Sequence, residues 1–177
     1  MAWTAPMTAV SGSVYTAAQF NTFVRDNLNE TAPAKATTPG GYFVTSTLNE
    51  IVERLGDRET IATSETTTST SFTDLTTPGP TVTATTSNLA LVIFGCEQSN
   101  SGSGSTRSSV DVSGASTIAA ADIRSLTLSG TAGSEFQASH AVFYDDLTPG
   151  LNTFTMKYRV SSGTGTFARR RLIVLPY

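Results

Sequence analysis

The chain has 177 residues and a mass of 18.6 kDa, enough for one ordinary domain with a sizeable core plus an accessory segment. Charged residues make up only 14%, against roughly 25% in an average globular protein, and Thr, Ser, Gly and Ala dominate, a mix that favours strands and turns over helices. The formal charge of -3 and a pI near 5.0 supply no electrostatic reason for a nucleic-acid partner, and a single cysteine, Cys96, excludes an intramolecular disulfide.

No apolar run approaches the ~20 residues of a membrane span, so no membrane insertion is expected. The amino terminus lacks the basic and apolar regions of a signal peptide, which predicts a chain made and kept in a cytoplasm until it is assembled into something larger.

Residues 1–14 (MAWTAPMTAVSGSV) show no helical period and read as extended. Trp3, the sole tryptophan, is either a loose end or an anchor for a partner's pocket. A helix follows over about 16–29: Thr16 and Gln19 form a capping box, Tyr15 and Phe20 sit at staple positions, and Phe20, Phe23, Val24 and Leu28 fall on one stripe. A helix this short is marginal alone. Each covered apolar side chain contributes roughly 1.5–3 kcal/mol, so the stripe must pack on the same chain or on another.

Residues 30–41 (ETAPAKATTPGG) read as a semi-extended, Pro-containing linker. The next stretch, 42–55, has two readings. As a helix, Thr47 and Glu50 cap it, Leu48, Ile51, Val52 and Leu55 form a stripe, and Gly56 stops it; as a hairpin, Tyr42 to Thr45 pairs with Ile51 to Leu55 across a polar turn at 46–50.

From about residue 58 the composition predicts a β-sandwich, barrel or jelly roll. Thr60 to Thr63 and Thr70 to Thr73 read as edge strands around the tract ETTTSTS, with Leu75 turned inward before the turn at Pro78 to Pro80. Further strands are predicted at Thr81 to Thr85, Leu89 to Cys96, Thr106 to Val112, Ser125 to Leu128 and Glu135 to Phe143, with a tip at 100–105 and a turn at 129–133. The last hairpin is the clearest. Phe154, Met156, Tyr158 and Val160 alternate with Thr155, Lys157 and Arg159, and Leu172 to Leu175 read as a central strand buried on both faces. Arg169, Arg170 and Arg171 form the one dense basic spot, read as a solvated strand end.

The chemistry-bearing residues are few. His140 is the sole histidine, so no two-histidine metal site can form. A Ser/His/Asp set with Asp145 or Asp146 lacks the G-x-S-x-G elbow, and the Asp145–Asp146 pair reads as a solvated turn rather than a calcium site. Asp111, Asp122 and Arg124 read as surface charges. The expectation is a non-enzyme with no catalytic residue, no metal and no cofactor.

Two parts of the chain carry a family resemblance. Trp3-Thr4, then Thr16-Ala17-Ala18, Phe20-Asn21 and Arg25-Asp26-Asn27-Leu28, resembles the leader W-(S/T)-x-P…T-A-A-x-(L/F/M)-N…R-D-N of tailed-phage and prophage virion structural proteins, above all of actinobacterial phages. Gly41 to Val44 with Ile51 to Leu55 is similar to hairpins of phage fibre and minor tail proteins, with Asn49 and Glu50 in place of a Gly-rich turn. The distal segments from Val112 to Ile118 and from Leu147 to Arg170 are similar to the knob-like β-domains mounted on such leaders.

The resemblance implies a structural component of a phage virion, a tail fibre, minor tail or head-decoration protein found in the virion after assembly in the host cytoplasm. Residues 1–57 would be an attachment arm and 58–177 a displayed β-sandwich, with a homotrimer as the implied assembly. Its partners would be other virion proteins of the capsid or tail, with Trp3, Tyr15, Phe20, Phe23, Val24 and Leu28 as docking or oligomer contacts. The alternative is a receptor- or carbohydrate-binding module for a host surface glycan, with Tyr144 and Phe167 as the aromatic candidates.

Overall fold

A computed structural model describes residues 3–47, 49–129 and 132–177; the predicted turns at 46–50 and 129–133 therefore lie partly outside the described residues, as does Leu48 of the helical reading. The chain is mainly β, with antiparallel sheets and a short helix near its amino terminus. It divides into two compact units, one running to Leu55 and including Tyr177, the other Gly56–Pro176.

In the first unit, helix α1 covers residues 17–29 as α-helical Ala17–Phe20, π-helical Asn21–Arg25 and α-helical Asp26–Asn29. Its start follows the sequence: Thr16 Oγ1 accepts from Gln19 N–H at 3.2 Å, Gln19 Oε1 accepts from Thr16 N–H at 2.9 Å, and the Tyr15 and Phe20 rings meet edge-on at 6.3 Å. The π segment inserts a wider turn that rotates the helix face part-way along. The expected single stripe is accordingly split: Phe23 and Val24 are half-buried, whereas Phe20 and Leu28 are exposed.

The linker differs from the expectation of a semi-extended chain. Ala32–Lys35 forms a helical turn, α2, which accepts Pro33 because the first turn of a helix needs no internal N–H donor there. Lys35 Nζ donates to Ile51 O at 2.6 Å, and Glu53 accepts from the N–H groups of Thr37 and Thr38 at 3.0 Å each. These bonds tie the linker to a hairpin of β1 (Tyr42–Thr47) and β2 (Glu50–Arg54). Tyr42–Thr47 and Glu50–Arg54 are thus paired strands of a hairpin rather than parts of a helix. Asn49 takes the left-handed conformation, φ 60°, which Asn tolerates better than most residues, and Glu50 accepts from the hydroxyls of Ser46 and Thr47 across the turn.

The second unit is a sandwich of two antiparallel sheets. One sheet has the order β5 (Thr81–Thr86), β10 (Gly150–Val160), β7 (Thr106–Gly114), β8 (Leu126–Leu128). The other runs β3 (Asp57–Ile61), β11 (Gly165–Pro176), β6 (Ala90–Asn100), β9 (Phe136–Tyr144), with β4 (Glu65–Thr67) also paired to β11. The Thr/Ser tract therefore contributes a strand of its own, whereas the strand expected at Thr70 to Thr73 does not form: Thr73 makes a single bridge, to Tyr158 of β10 in the opposite sheet.

Strand β10 buries Asn152, Phe154, Met156, Tyr158 and Val160 and leaves the residues between them part-exposed, as its alternation requires. Val82, Val92, Phe94, Val110, Val112, Leu172 and Val174 meet them from the other strands to make one core, which also takes in Cys96. Gly95 is demanded by close approach, since a Cβ there would sit 2.5 Å from Ala138 O.

Strand β11 lies inside its sheet but is buried fully on one face only. Leu172 and Val174 point into the core, while Ile173 and Leu175 are half-buried on the outer face. A bulge between Ala168 and Arg171, with Arg169 at φ 49°, sets two residues of β11 against one of β6. Among the described residues no helix is long and apolar enough to cross a membrane.

Candidate functional site

Two features of the molecule have the shape of binding sites, one in each unit. The first is built by the leader. Asn27, the last residue of the R-D-N triplet, is buried; its Oδ1 accepts from Thr4 N–H at 2.8 Å, and its Nδ2 donates to Thr4 O at 2.8 Å and to Phe23 O at 3.1 Å. A side-chain amide thereby pairs with a peptide unit as a neighbouring strand would, and folds the amino-terminal segment back along α1. Trp3 N–H donates to Asn49 O at 3.0 Å, fixing the same segment to the hairpin. Between segment and helix lies a groove of about 430 Å³ lined by residues including Pro6, Met7, Val10, Tyr15, Phe23 and Val24. Of the residues predicted as contacts, Tyr15, Phe23 and Val24 share this groove, while Trp3 (43% exposed), Phe20 and Leu28 (61%) present apolar surface outside it.

The second feature lies on the solvent face of the β5-β10-β7-β8 sheet. Residues 70–74 form one wall, residues 119–122 the other, and Asp111, Lys157 and Arg159, on neighbouring strands β7 and β10, form the floor of a cleft of about 730 Å³. Both walls are anchored by backbone bonds. Thr73 and Tyr158 exchange N–H···O bonds of 3.0 and 2.9 Å, and Val160 N–H donates to Ser69 O at 2.8 Å. On the other side Ile118 and Val112 pair at 2.8 and 2.9 Å, and Ser109 Oγ reaches Ala121 N and O.

The charges within the cleft are largely matched. Lys157 Nζ donates to both oxygens of Asp74 at 2.8 and 2.7 Å. Arg159 Nε donates to Asp122 Oδ1 at 2.9 Å, its Nη1 donates to Thr70 O at 3.1 Å, and its guanidinium lies 5.3 Å from the Phe72 ring centre. Asp122 also takes an ion pair from Arg107, and hydrogen bonds from Arg107 and then Arg159 hold its carboxyl below the usual range. Among the described residues Asp111 has no such ion pair. Partial burial pushes its carboxyl up, Lys157 pulls it down, and Asp74 adds to the rise.

Other sequence expectations are corrected by the packing. Arg170 is no solvated strand end: it has 0% exposure and belongs to the core. Its Nη1 donates to Thr77 O at 2.9 Å and Gly79 O at 3.3 Å, its Nη2 to Glu65 Oε2 at 3.1 Å, and its guanidinium sits 5.6 Å from the Tyr158 ring centre. Burial pushes Glu65 up, yet the Thr77 hydroxyl and N–H together with Arg170 outweigh it and hold the carboxyl below its ordinary range. A signal for this was in the sequence, because Ala168, Arg170, Leu172 and Val174 share the inward period of β11.

Asp122 is at the surface as expected, though paired, and Arg124 is half-buried. Asp122 joins the two arginines above, and Arg124 donates to Ala119 O at 2.9 Å while its guanidinium lies 5.7 Å from the ring centre of Tyr144. Tyr144 and Phe167, the aromatic candidates for a glycan, are core residues at 2% and 0% exposure; burial pushes the Tyr144 hydroxyl up to about 12. Burial likewise pushes the Cys96 thiol up to about 11, the state of an unreactive core residue.

His140 meets Phe94 edge-on at 5.7 Å, and no hydrogen bond joins it to Asp145 or Asp146 among the described residues. Nor does any group of three His, Cys, Asp or Glu among the described residues have the placement to hold a metal ion. No protein-family model matches the chain, and a search of curated proteins returns no match.

Proposed function

We propose that this chain is a structural component of a tailed-phage particle, a tail-fibre, minor tail or head-decoration subunit whose first unit docks on the particle and whose sandwich is displayed. The observation that carries the reading is the Asn27 clamp on Thr4, which gives the leader motif a structural reason: its W-T and R-D-N parts are the two halves of one folded device. That device leaves Trp3, Tyr15, Phe20 and Leu28 exposed, an unusual density of large apolar side chains for so small a unit, and such surface is what an assembly contact uses. Other virion proteins are the partners on this reading, with self-association as a homotrimer the expected arrangement.

Two experiments test it. Particles produced with a chain carrying Trp3→Ser, Phe20→Ser and Leu28→Ser should lack the subunit, although the variant accumulates as folded protein; normal incorporation refutes the docking role. Light scattering on the whole chain and on residues 56–177 then assigns self-association. A trimer of both places the oligomer contact in the sandwich, a trimer of the whole chain alone places it in the leader, and two monomers refute the trimer.

A further inference from the structure

The cleft between residues 70–74 and 119–122 is unused by the docking role, and its construction suits a ligand. We infer that it binds a neutral saccharide, recognised by Asp111 and Lys157 on its floor and by Phe72 and Ala119 on its walls. This gives the displayed sandwich a ligand, and it holds or fails independently of whether the leader docks on a particle.

The ligand class follows from the lining. Asp74, Asp111 and Asp122 are balanced there by Lys157, Arg159 and, behind Asp122, Arg107, and all three cations are already ion-paired, so a phosphate, a polyanion or a nucleic-acid backbone finds no unpaired positive charge to bind. A divalent cation is disfavoured because Lys157 already occupies the Asp74 carboxylate, and no three-ligand group is formed among the described residues. Sugar hydroxyls have the complementary property of both donating and accepting. Asp111 offers acceptor oxygens that no ion pair among the described residues occupies, and Lys157, with two N–H groups committed to Asp74, keeps a third donor.

Beside these polar groups the cleft also offers apolar surface of the kind a pyranose needs. Phe72 and the run Ala119 to Ala121 are small or flat surfaces against which the C–H face of a sugar ring can lie. The volume of about 730 Å³ falls within the roughly 300–1,000 Å³ of small-molecule sites. Both walls are held by backbone and Ser109 bonds, so the site is formed before a ligand arrives, which lowers the ordering cost of binding.

The test is an amide-shift titration of the full chain with maltohexaose, cellohexaose, chitohexaose and a mannan hexasaccharide at millimolar concentration, with a polygalacturonate hexamer as the anionic comparison. Saturable shifts confined to Phe72–Asp74, Asp111, Ala119–Asp122 and Lys157 with at least one neutral probe are expected. Asp111→Asn and Phe72→Leu should each weaken that binding about tenfold. Ala119→Trp, which fills the cleft from an exposed position, should abolish it, while Arg58→Gln on the other sheet leaves it unchanged. Silence with every neutral probe, preference for the anionic hexamer, or undiminished binding by Ala119→Trp each overturns the assignment.

Discussion

Glu65→Ala probes the buried Arg170 cluster directly. In the native sandwich the Arg170 guanidinium is fully buried, and Glu65, 3.1 Å away, is its one ionic partner among the described residues. Removing that carboxylate leaves the cation with two backbone carbonyls and the Tyr158 ring. Breaking one side of a buried pair costs about 3–5 kcal/mol, because the surviving charge stays desolvated.

The Glu65 side chain keeps 11% exposure, so water can reach the vacated place, and the lower end of that range, about 3 kcal/mol, is expected. Arg170→Met removes the buried charge together with its desolvation penalty and strands only Glu65 near the surface; its cost should be smaller, about 1–2 kcal/mol. The double variant Glu65→Ala, Arg170→Met should lose less than the two single changes added together.

Urea unfolding followed by far-UV circular dichroism is the assay, since the only tryptophan lies in the other unit. With a slope of about 1.5 kcal/mol/M, the Glu65→Ala midpoint should fall by about 2 M. A shift under about 0.5 M, or strict additivity in the double variant, would refute the reasoning that the pair is a coupled, desolvated unit.

Further predictions use the same sandwich and the leader. Glu65 has a folded pKa below its ordinary value of 4.5, so its contribution is present above that pH and is lost as pH falls through the folded pKa; Glu65→Gln should flatten the acid limb of stability. Asp111 has the opposite sign. With its folded pKa raised above 3.8, it costs stability as pH rises through that window, so the advantage of Asp111→Asn over wild type should grow from pH 3 upward and then level off.

Asn152, at 0% exposure, donates to Thr86 Oγ1 at 2.8 Å and Thr148 O at 3.0 Å and accepts from Ser116 N–H at 2.7 Å; Asn152→Ala should cost about 2–3 kcal/mol in urea melts. Asn27→Ala should free the Thr4 amide, seen as loss of its hydrogen-exchange protection, while amides of the sandwich keep theirs.

Much of the architecture is written locally. The period of two along Phe154, Met156, Tyr158 and Val160 decides which face of β10 is buried, since successive Cβ atoms point to opposite sides of a strand. Thr16, Gln19, Tyr15 and Phe20 specify the start of α1 because a capping box and a staple involve only residues within five positions of one another.

Where two local codes competed, distant partners decided. Residues 42–55 carry both a helical stripe and β-forming residues, and the hairpin form is tied in place by Lys35 on Ile51 and by Thr37 and Thr38 on Glu53, bonds that no periodicity announces. The fate of Arg170 was half-legible. Its inward period is in the sequence, but that a cation tolerates the core depends on the bulge at 168–171 and on Glu65, 105 positions away.

The cleft was not legible at all. Residues 70–74, 111, 119–122, 157 and 159 are scattered along the chain, and only the register of β10 against β7, with the two anchored flanking segments, makes them one surface. Sequence alone thus determined the local periods and caps, because these depend on neighbours along the backbone. Tertiary structure decided which charges meet and which are buried, because pairing across strands sets distances that separation in sequence does not encode.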